Sequence, residues 1–187
     1  MAPHRANLPL LAVVLLFWLA TMAAAADGSG AGGGKTTTTT HLHFYMHEFF
    51  TGGPNGTTAR VAPPVVSRGG GGSGSLFGLL SVVDDALREG ADPASRLIGR
   101  AQGLAAGTSL ADGSVTTMLD FVFTEGPYKG STVAAFGVGL PGAAMERPVI
   151  GGTGAFRMAR GYTVSRVVPT ADPNNQLILE YDIYVSH

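Results

Sequence analysis

The sequence contains no cysteine, which removes disulfides, thiolate nucleophiles and cysteine-based zinc sites from consideration. That absence does not fix a compartment, because a domain of this size can fold without covalent staples. Charge is scarce as well: 13% of residues are Asp, Glu, Lys or Arg, and the formal net charge is −1. A chain so nearly neutral offers no field to attract nucleic acid or an anionic membrane surface. No stretch shows helical periodicity with caps at both ends, apart from a turn at DPASRL, and no repeat of fixed period is present. Haem, copper and flavin signals are missing too, so no cofactor is expected.

What the chain has in quantity is apolar surface and glycine. Hydrophobic residues make up 45% of the sequence, ample for a core. Its 28 glycines in 187 residues are about twice the ~7% of an ordinary globular chain, which points to many turns, a linker, or both.

The N-terminus has the form of an export signal. A short cationic start, MAPHR, precedes the apolar run LPLLAVVLLFWLATMAAAA, and Ala24 and Ala26 give an A-x-A cleavage pattern before Asp27. Leu8 to Ala26 approaches the length of a membrane span, but small residues crowd its end and no cationic stop-transfer flank follows. Residues 1–26 are therefore read as a signal peptide and the chain as secreted, with no membrane association after processing. Residues 27–40, DGSGAGGGKTTTTT, form a low-complexity leader with nothing to bury. The folded domain is expected over 41–187, interrupted by the Gly-rich loop 67–75.

Within that domain strand follows strand. In HLHFYMHEFF, alternation places Leu42, Phe44, Met46, Glu48 and Phe50 on one face and His41, His43, Tyr45, His47 and Phe49 on the other. LFGLLSVVDDAL, RLIGRAQGLAAGTS, SVTTMLDFVFT, STVAAFGVG and QLILEYDIYVSH follow, separated by turn-rich segments such as REGADPAS, EGPYKG and ADPNN. Short strands at regular spacing suggest an antiparallel barrel or sandwich. Glycines inside strands, where a sheet bends, favour the closed barrel.

The stretch VIGGTGAFRMARGY tests whether any of this glycine serves a nucleotide. Gly152-Thr153-Gly154 begins a dinucleotide fingerprint, but Arg157 stands where the third glycine belongs, and no Gly-Lys-Ser/Thr follows for a P-loop. FRMARGYTVSRVV continues as strand, leaving no helix N-terminus for a phosphate. Gly151, Gly152 and Gly154 are thus expected to shape a bend between strands, at least one of them with positive φ.

FYMHEFF, FGLLSVVDDALREG, SRLIGRAQGL, FVFTEGPYKGSTV, RPVIGGTGAFRMARGY and the ending LEYDIYVSH, taken in this order, resemble the plant dirigent proteins from His43 to His187. The resemblance implies an all-β fold, an eight-stranded antiparallel barrel of the kind shared with allene-oxide cyclase. It also implies secretion to the cell-wall space and a homo-oligomer, with a trimer favoured and a dimer as the alternative. Dirigent proteins bind phenoxy radicals of the monolignol type, made by an external laccase or peroxidase, and steer their coupling in lignan and related phenylpropanoid biosynthesis. Other members cyclise or dehydrate quinone-methide precursors, and some serve the cell wall or defence by binding alone.

Glu48 stands where the family usually has the aspartate of a His-Asp motif, which makes it a candidate lumen acid/base; the alternative is a solvated acid at the strand end. Phe44, Met46, Asp84, Asp85 and Arg100 are candidate substrate-binding residues. Asp84 and Asp85 must face opposite ways on a strand, so one can line the cavity while the other caps the turn. A buried one should have a raised pKa unless Arg100, Arg157 or Arg160 pairs with it. The second lumen aspartate of lignan-forming members aligns near Gly139, and their arginine near Met145. Glu146 and Arg147 would replace them only after a local shift. Asn55-Gly56-Thr57 is an N-glycosylation sequon in a turn. His41, His43 and His47 share a face but lack visible acid partners, so no metal site is expected.

Overall fold

The computed structural model describes residues 39–50, 55–65, 76–140 and 142–187. The expected signal peptide, nearly all of the leader and the Gly-rich loop lie outside these residues. Nine strands follow one another: β1 (Thr39–Phe49), β2 (Thr58–Ala62), β3 (Leu80–Arg88), β4 (Leu97–Gly107), β5 (Val115–Phe123), β6 (Thr132–Gly139), β7 (Met145–Thr153), β8 (Arg160–Val168) and β9 (Gln176–Ser186). The first begins at Thr39, two residues earlier than the sequence suggested, because Thr39 and Thr40 continue the ladder opposite Ser186 and Val185.

Each strand pairs antiparallel with its neighbours in the order β1-β9-β8-β7-β6-β5-β4-β3-β2, and a further β1–β3 pairing closes the sheet. Closure works because β1 and β2 share one edge of β3. Tyr45, Met46 and His47 of β1 pair with Arg88, Leu87 and Ala86. Thr58 to Ala62 of β2 pair with the other half of the strand, Val83 to Leu80. The result is an eight-stranded antiparallel barrel with β2 as a short continuation of β1. Closing the sheet leaves no long unpaired edge to template aggregation.

The period-2 pattern decides what fills it. Leu42, Phe44 and Met46 of β1 are buried, as are Val83 and Leu87 of β3, Leu119, Phe121 and Phe123 of β5, Val133 and Ala135 of β6, and Tyr181, Ile183 and Val185 of β9. Phe44, Phe121 and Tyr181 form an aromatic trio, with ring centroids 5.4 Å (Phe44–Phe121), 5.1 Å (Phe121–Tyr181) and 5.8 Å (Phe44–Tyr181) apart. These separations suit offset and edge-on packing, which adds about 0.5–1.5 kcal/mol per pair beyond area burial.

The glycine stretch forms the corner between β7 and β8. Gly154 has φ +60° and opens a single turn of 3-10 helix, Gly154–Phe156, which buries Phe156 under the barrel end. A Cβ on Gly152 would lie 2.5 Å from the Thr132 carbonyl oxygen, so only glycine fits there. Gly151 differs from the other two: a Cβ on it would meet nothing within 4 Å.

Candidate functional site

Three strands bring two carboxylates together inside the barrel. Glu48 ends the inward row of β1, and Asp85 lies in the middle of the inward row of β3, fully buried between Val83 and Leu87. Thr57 and Thr58, entering β2 beside them, each donate a hydroxyl hydrogen bond: Thr57 Oγ1 to Asp85 Oδ1 at 2.5 Å and Thr58 Oγ1 to Glu48 Oε1 at 2.6 Å. Thr57 is held in turn by the Phe49 N–H, which donates to its Oγ1 at 2.9 Å.

Burial in an apolar barrel disfavours carboxylate charge, and the neighbouring Glu48 adds like-charge repulsion. Together they push Asp85 up from 3.8 to about 8, against the opposing Thr57 hydrogen bond. Glu48 is raised by the same loss of hydration, which outweighs its bond from Thr58. The second oxygen of Asp85, Oδ2, is buried with no hydrogen-bond partner among the described residues. Two acids that cannot comfortably ionise together, one with a free oxygen, can hold and pass a proton near neutral pH.

Tyr181 connects this acid pair to a second polar group. Its buried phenol is raised mainly by desolvation, is hydrogen-bonded by Ser165, and senses Arg147 in one direction and Glu48 and Asp85 in the other. Arg147 projects from the inward row of β7 with Met145 and Val149, and only 3% of its surface is exposed. Its Nη1 donates to Ser165 Oγ at 3.2 Å, and Nη2 lies 3.5 Å from Met145 Sδ.

These positions revise several expectations. Asp84 and Arg100, both anticipated at the substrate, face outwards, where Arg100 Nε donates to Asp84 Oδ1 at 2.5 Å on the barrel surface. Asp85 caps no turn and takes no arginine partner among the described residues; it lies well inside β3. Arg147 enters the interior with no local shift, since Met145 and Arg147 are two residues apart on one face. Phe44 and Met46 are in the core, whereas Phe50 falls just past the end of β1 and is exposed.

His47 faces away from the lumen yet is buried: its Nε2 bonds the Gly90 carbonyl oxygen at 3.0 Å beneath the β3–β4 turn. His41 and His43 do have an acid partner, Asp182, at 2.8 Å and 3.0 Å across the β1–β9 pair. The separation in sequence, 141 and 139 residues, hid that contact. Asn55 lies exposed in the turn leading to β2.

Alternation assigned Glu48 to the inward face correctly in principle, but the meeting of Glu48 with Asp85 could not be read along the chain. It depends on β1 pairing with β3 and on β2 covering the gap.

Residues 39–186 match the family model described as "Dirigent-like protein". Dirigent protein 1 of Arabidopsis thaliana is 40% identical over 112 residues, 59% of this chain and 60% of that protein. Dirigent protein 23 of the same plant is 39% identical over 139 residues, covering 72% of this chain and 71% of that protein. Pterocarpan synthase 1 of Glycyrrhiza echinata is 36% identical over 144 residues, 75% of this chain and 74% of that one. A solved structure of a pterocarpan synthase dirigent protein superposes with a TM-score of 0.71 at 34% identity, covering 81% of this chain and 86% of that chain. The barrel, the order of its motifs and these similarities agree: this chain belongs to the dirigent family.

Proposed function

We propose that the barrel takes a phenolic molecule into its lumen and moves a proton to or from it through the Glu48–Asp85 pair. The observation that carries this reading is a fully buried carboxyl, Asp85, pushed up to about 8 beside a second raised acid. Such a group keeps its proton at neutral pH and can give it to a departing benzylic hydroxyl, which leaves as water, while the conjugated phenol gives its own proton to the Glu48 carboxylate and a neutral quinone methide results. A second phenol oxygen of the same molecule then closes onto the electrophilic carbon and gives its proton to the Asp85 carboxylate, as the quinone-methide oxygen takes one back from Glu48. Family membership and the pterocarpan synthases among the relatives support an enzymatic reading of this kind.

The aromatic trio of Phe44, Phe121 and Tyr181 favours a second reading, in which the lumen orients two phenoxy radicals made by a separate laccase or peroxidase, as in lignan formation. The requirement for an oxidant separates the two. A benzylic phenolic alcohol incubated with the protein and no oxidant should give cyclised or dehydrated product. Glu48→Gln and Asp85→Asn should each remove that turnover from a folded protein. Stereoselective product only when laccase is added would move the function to radical coupling. Unselective product under both conditions, over a panel of phenols, would sink both readings.

Around this chemistry we place an exported, homo-oligomeric protein glycosylated at Asn55. Val82, Leu104, Met118 and Phe136 lie side by side in register on the outer faces of β3, β4, β5 and β6, and all four are exposed. A four-strand apolar band of this kind suits burial against a second copy, with a trimer as the favoured assembly. Because the sequon hydroxyl of Thr57 is tied to Asp85 in the fold, glycan addition would precede barrel closure.

A further inference from the structure

The acid pair is one pole of the lumen, and the other is built from donors without an acid. Arg147 is 3% exposed and forms no ion pair among the described residues. Its bonds go to a hydroxyl and a thioether, and its Nε–H has no partner among the described residues. Along the same rung of the barrel, Arg147 pairs with Thr163 of β8. On its other side Arg147 packs against Gly137 of β6, where a Cβ would lie 3.3 Å from Arg147 Cγ, and Gly137 pairs with Thr117 of β5. The hydroxyls of Thr117 and Thr163 are likewise buried with no partner among the described residues. Three unmet polar groups, one of them cationic, thus occupy a single rung across four strands.

Burying a guanidinium without a counter-charge is unfavourable, and leaving its donors unmet adds to the cost. The barrel nevertheless makes room for it. A Cβ on Gly139 would fall 2.5 Å from Arg147 Nη2 and 2.7 Å from Met145 Sδ, so any side chain there would displace the guanidinium. A planar fork that shares its rung with a hydroxyl on the next strand and another two strands away matches a carboxylate, which accepts two parallel N–H bonds and has lone pairs left for the threonines.

We infer that Thr117, Arg147 and Thr163 form a carboxylate-binding subsite, so that the phenolic molecule held in this lumen is an acid rather than a neutral alcohol. The inference rests on the proposal that the lumen binds phenols. It adds polarity to that site: the carboxylate end lies at Arg147, the aromatic body against the Phe44, Phe121 and Tyr181 rings, and the reacting oxygen towards Glu48 and Asp85.

Ferulic acid and coniferyl alcohol differ at the end in question and serve as the probes. Isothermal titration at about pH 6, where a carboxylic acid is ionised and a phenol is not, should show the acid binding at least about tenfold more tightly, the scale of a charge-assisted hydrogen bond. Arg147→Met, verified as folded by circular dichroism, should abolish or reverse the preference. Gly139→Ala, which presses on the guanidinium from across the sheet, should weaken the acid and spare the alcohol. Equal or tighter binding of the alcohol to the unsubstituted protein overturns the subsite while leaving a phenol-binding lumen intact. Retention of the preference in folded Arg147→Met also overturns it. If neither compound binds, the subsite falls together with the phenol-binding reading.

Discussion

Asp85 has a consequence for stability that can be measured without any substrate. Its pKa is raised from 3.8 to about 8 by burial and by Glu48, so between those values the folded protein holds a proton that the unfolded chain has released. Stability must then fall as pH rises through that window and level off above it. Asp85→Asn mimics the protonated acid and should change little near about pH 3, below both values, while at about pH 8 it should stabilise by on the order of a few kcal/mol. Thermal denaturation across this range is the check; an Asn variant that tracks the parent at every pH would show that Asp85 ionises without penalty. Met158 gives an independent residue-scale case. It is the one described non-glycine residue with positive φ, 67°, and the residue is 76% exposed, so little in its packing compensates the backbone. Met158→Gly should be stabilising by about 0.5–1 kcal/mol, the left-handed penalty less the flexibility glycine adds. A lower melting temperature would contradict this.

At the scale of elements, period-2 alternation carried much of the architecture. It separated Leu42, Phe44 and Met46 from His41 and His43 and marked the strand cores, because one face of each strand is buried and a register slip would invert it. It also required Asp84 and Asp85 to diverge. Which of the two turned inwards was not legible, since that follows from β3 lying between β1 and β4. The inward turn of Arg147 was hidden for another reason: an arginine at a strand position ordinarily reads as surface, and only the glycines at 137 and 139 across the sheet give it space. The β7–β8 corner shows the same limit. Three glycines in a short run looked equivalent, yet they meet different surroundings. Gly152→Ala would press on the backbone oxygens of Thr132 and Phe156, and Gly154→Ala would add a Cβ 2.5 Å from Ser131 Oγ at φ +60°. Each should cost about 2 kcal/mol or more, whereas Gly151→Ala should stay within about 0.5 kcal/mol. Chemical denaturation of the three variants ranks them, and a Gly151→Ala cost equal to the others would show that the corner is tighter than described.

For the whole molecule, closure of the barrel brings the functional groups together. Tyr181 faces Phe44 on one side and Ser165 on the other across β1, β9 and β8, and through it the acid pair and Arg147 act within one electrostatic environment. Outside, the Val82–Leu104–Met118–Phe136 band is the surface on which assembly would depend. Phe136→Glu places a charge in the middle of that band and is expected to shift the protein to monomer in sedimentation experiments, with the barrel's circular dichroism unchanged. An unsubstituted protein that sediments as a monomer, or a Phe136→Glu variant that still associates, would remove the band from the interface.

The proposed chemistry depends most on an acid pair that keeps a proton inside the barrel at neutral pH. Carboxyl-carbon NMR of the protein labelled at aspartate and glutamate side chains, with Glu48→Gln and Asp85→Asn to assign the signals, reads this directly. Asp85 should titrate near pH 8, the value its burial and its neighbour impose, and should move downward when Glu48→Gln removes the like charge. Titration of Asp85 near its ordinary value of 3.8, unmoved by Glu48→Gln, would show an ionised and solvated carboxylate and contradict the account.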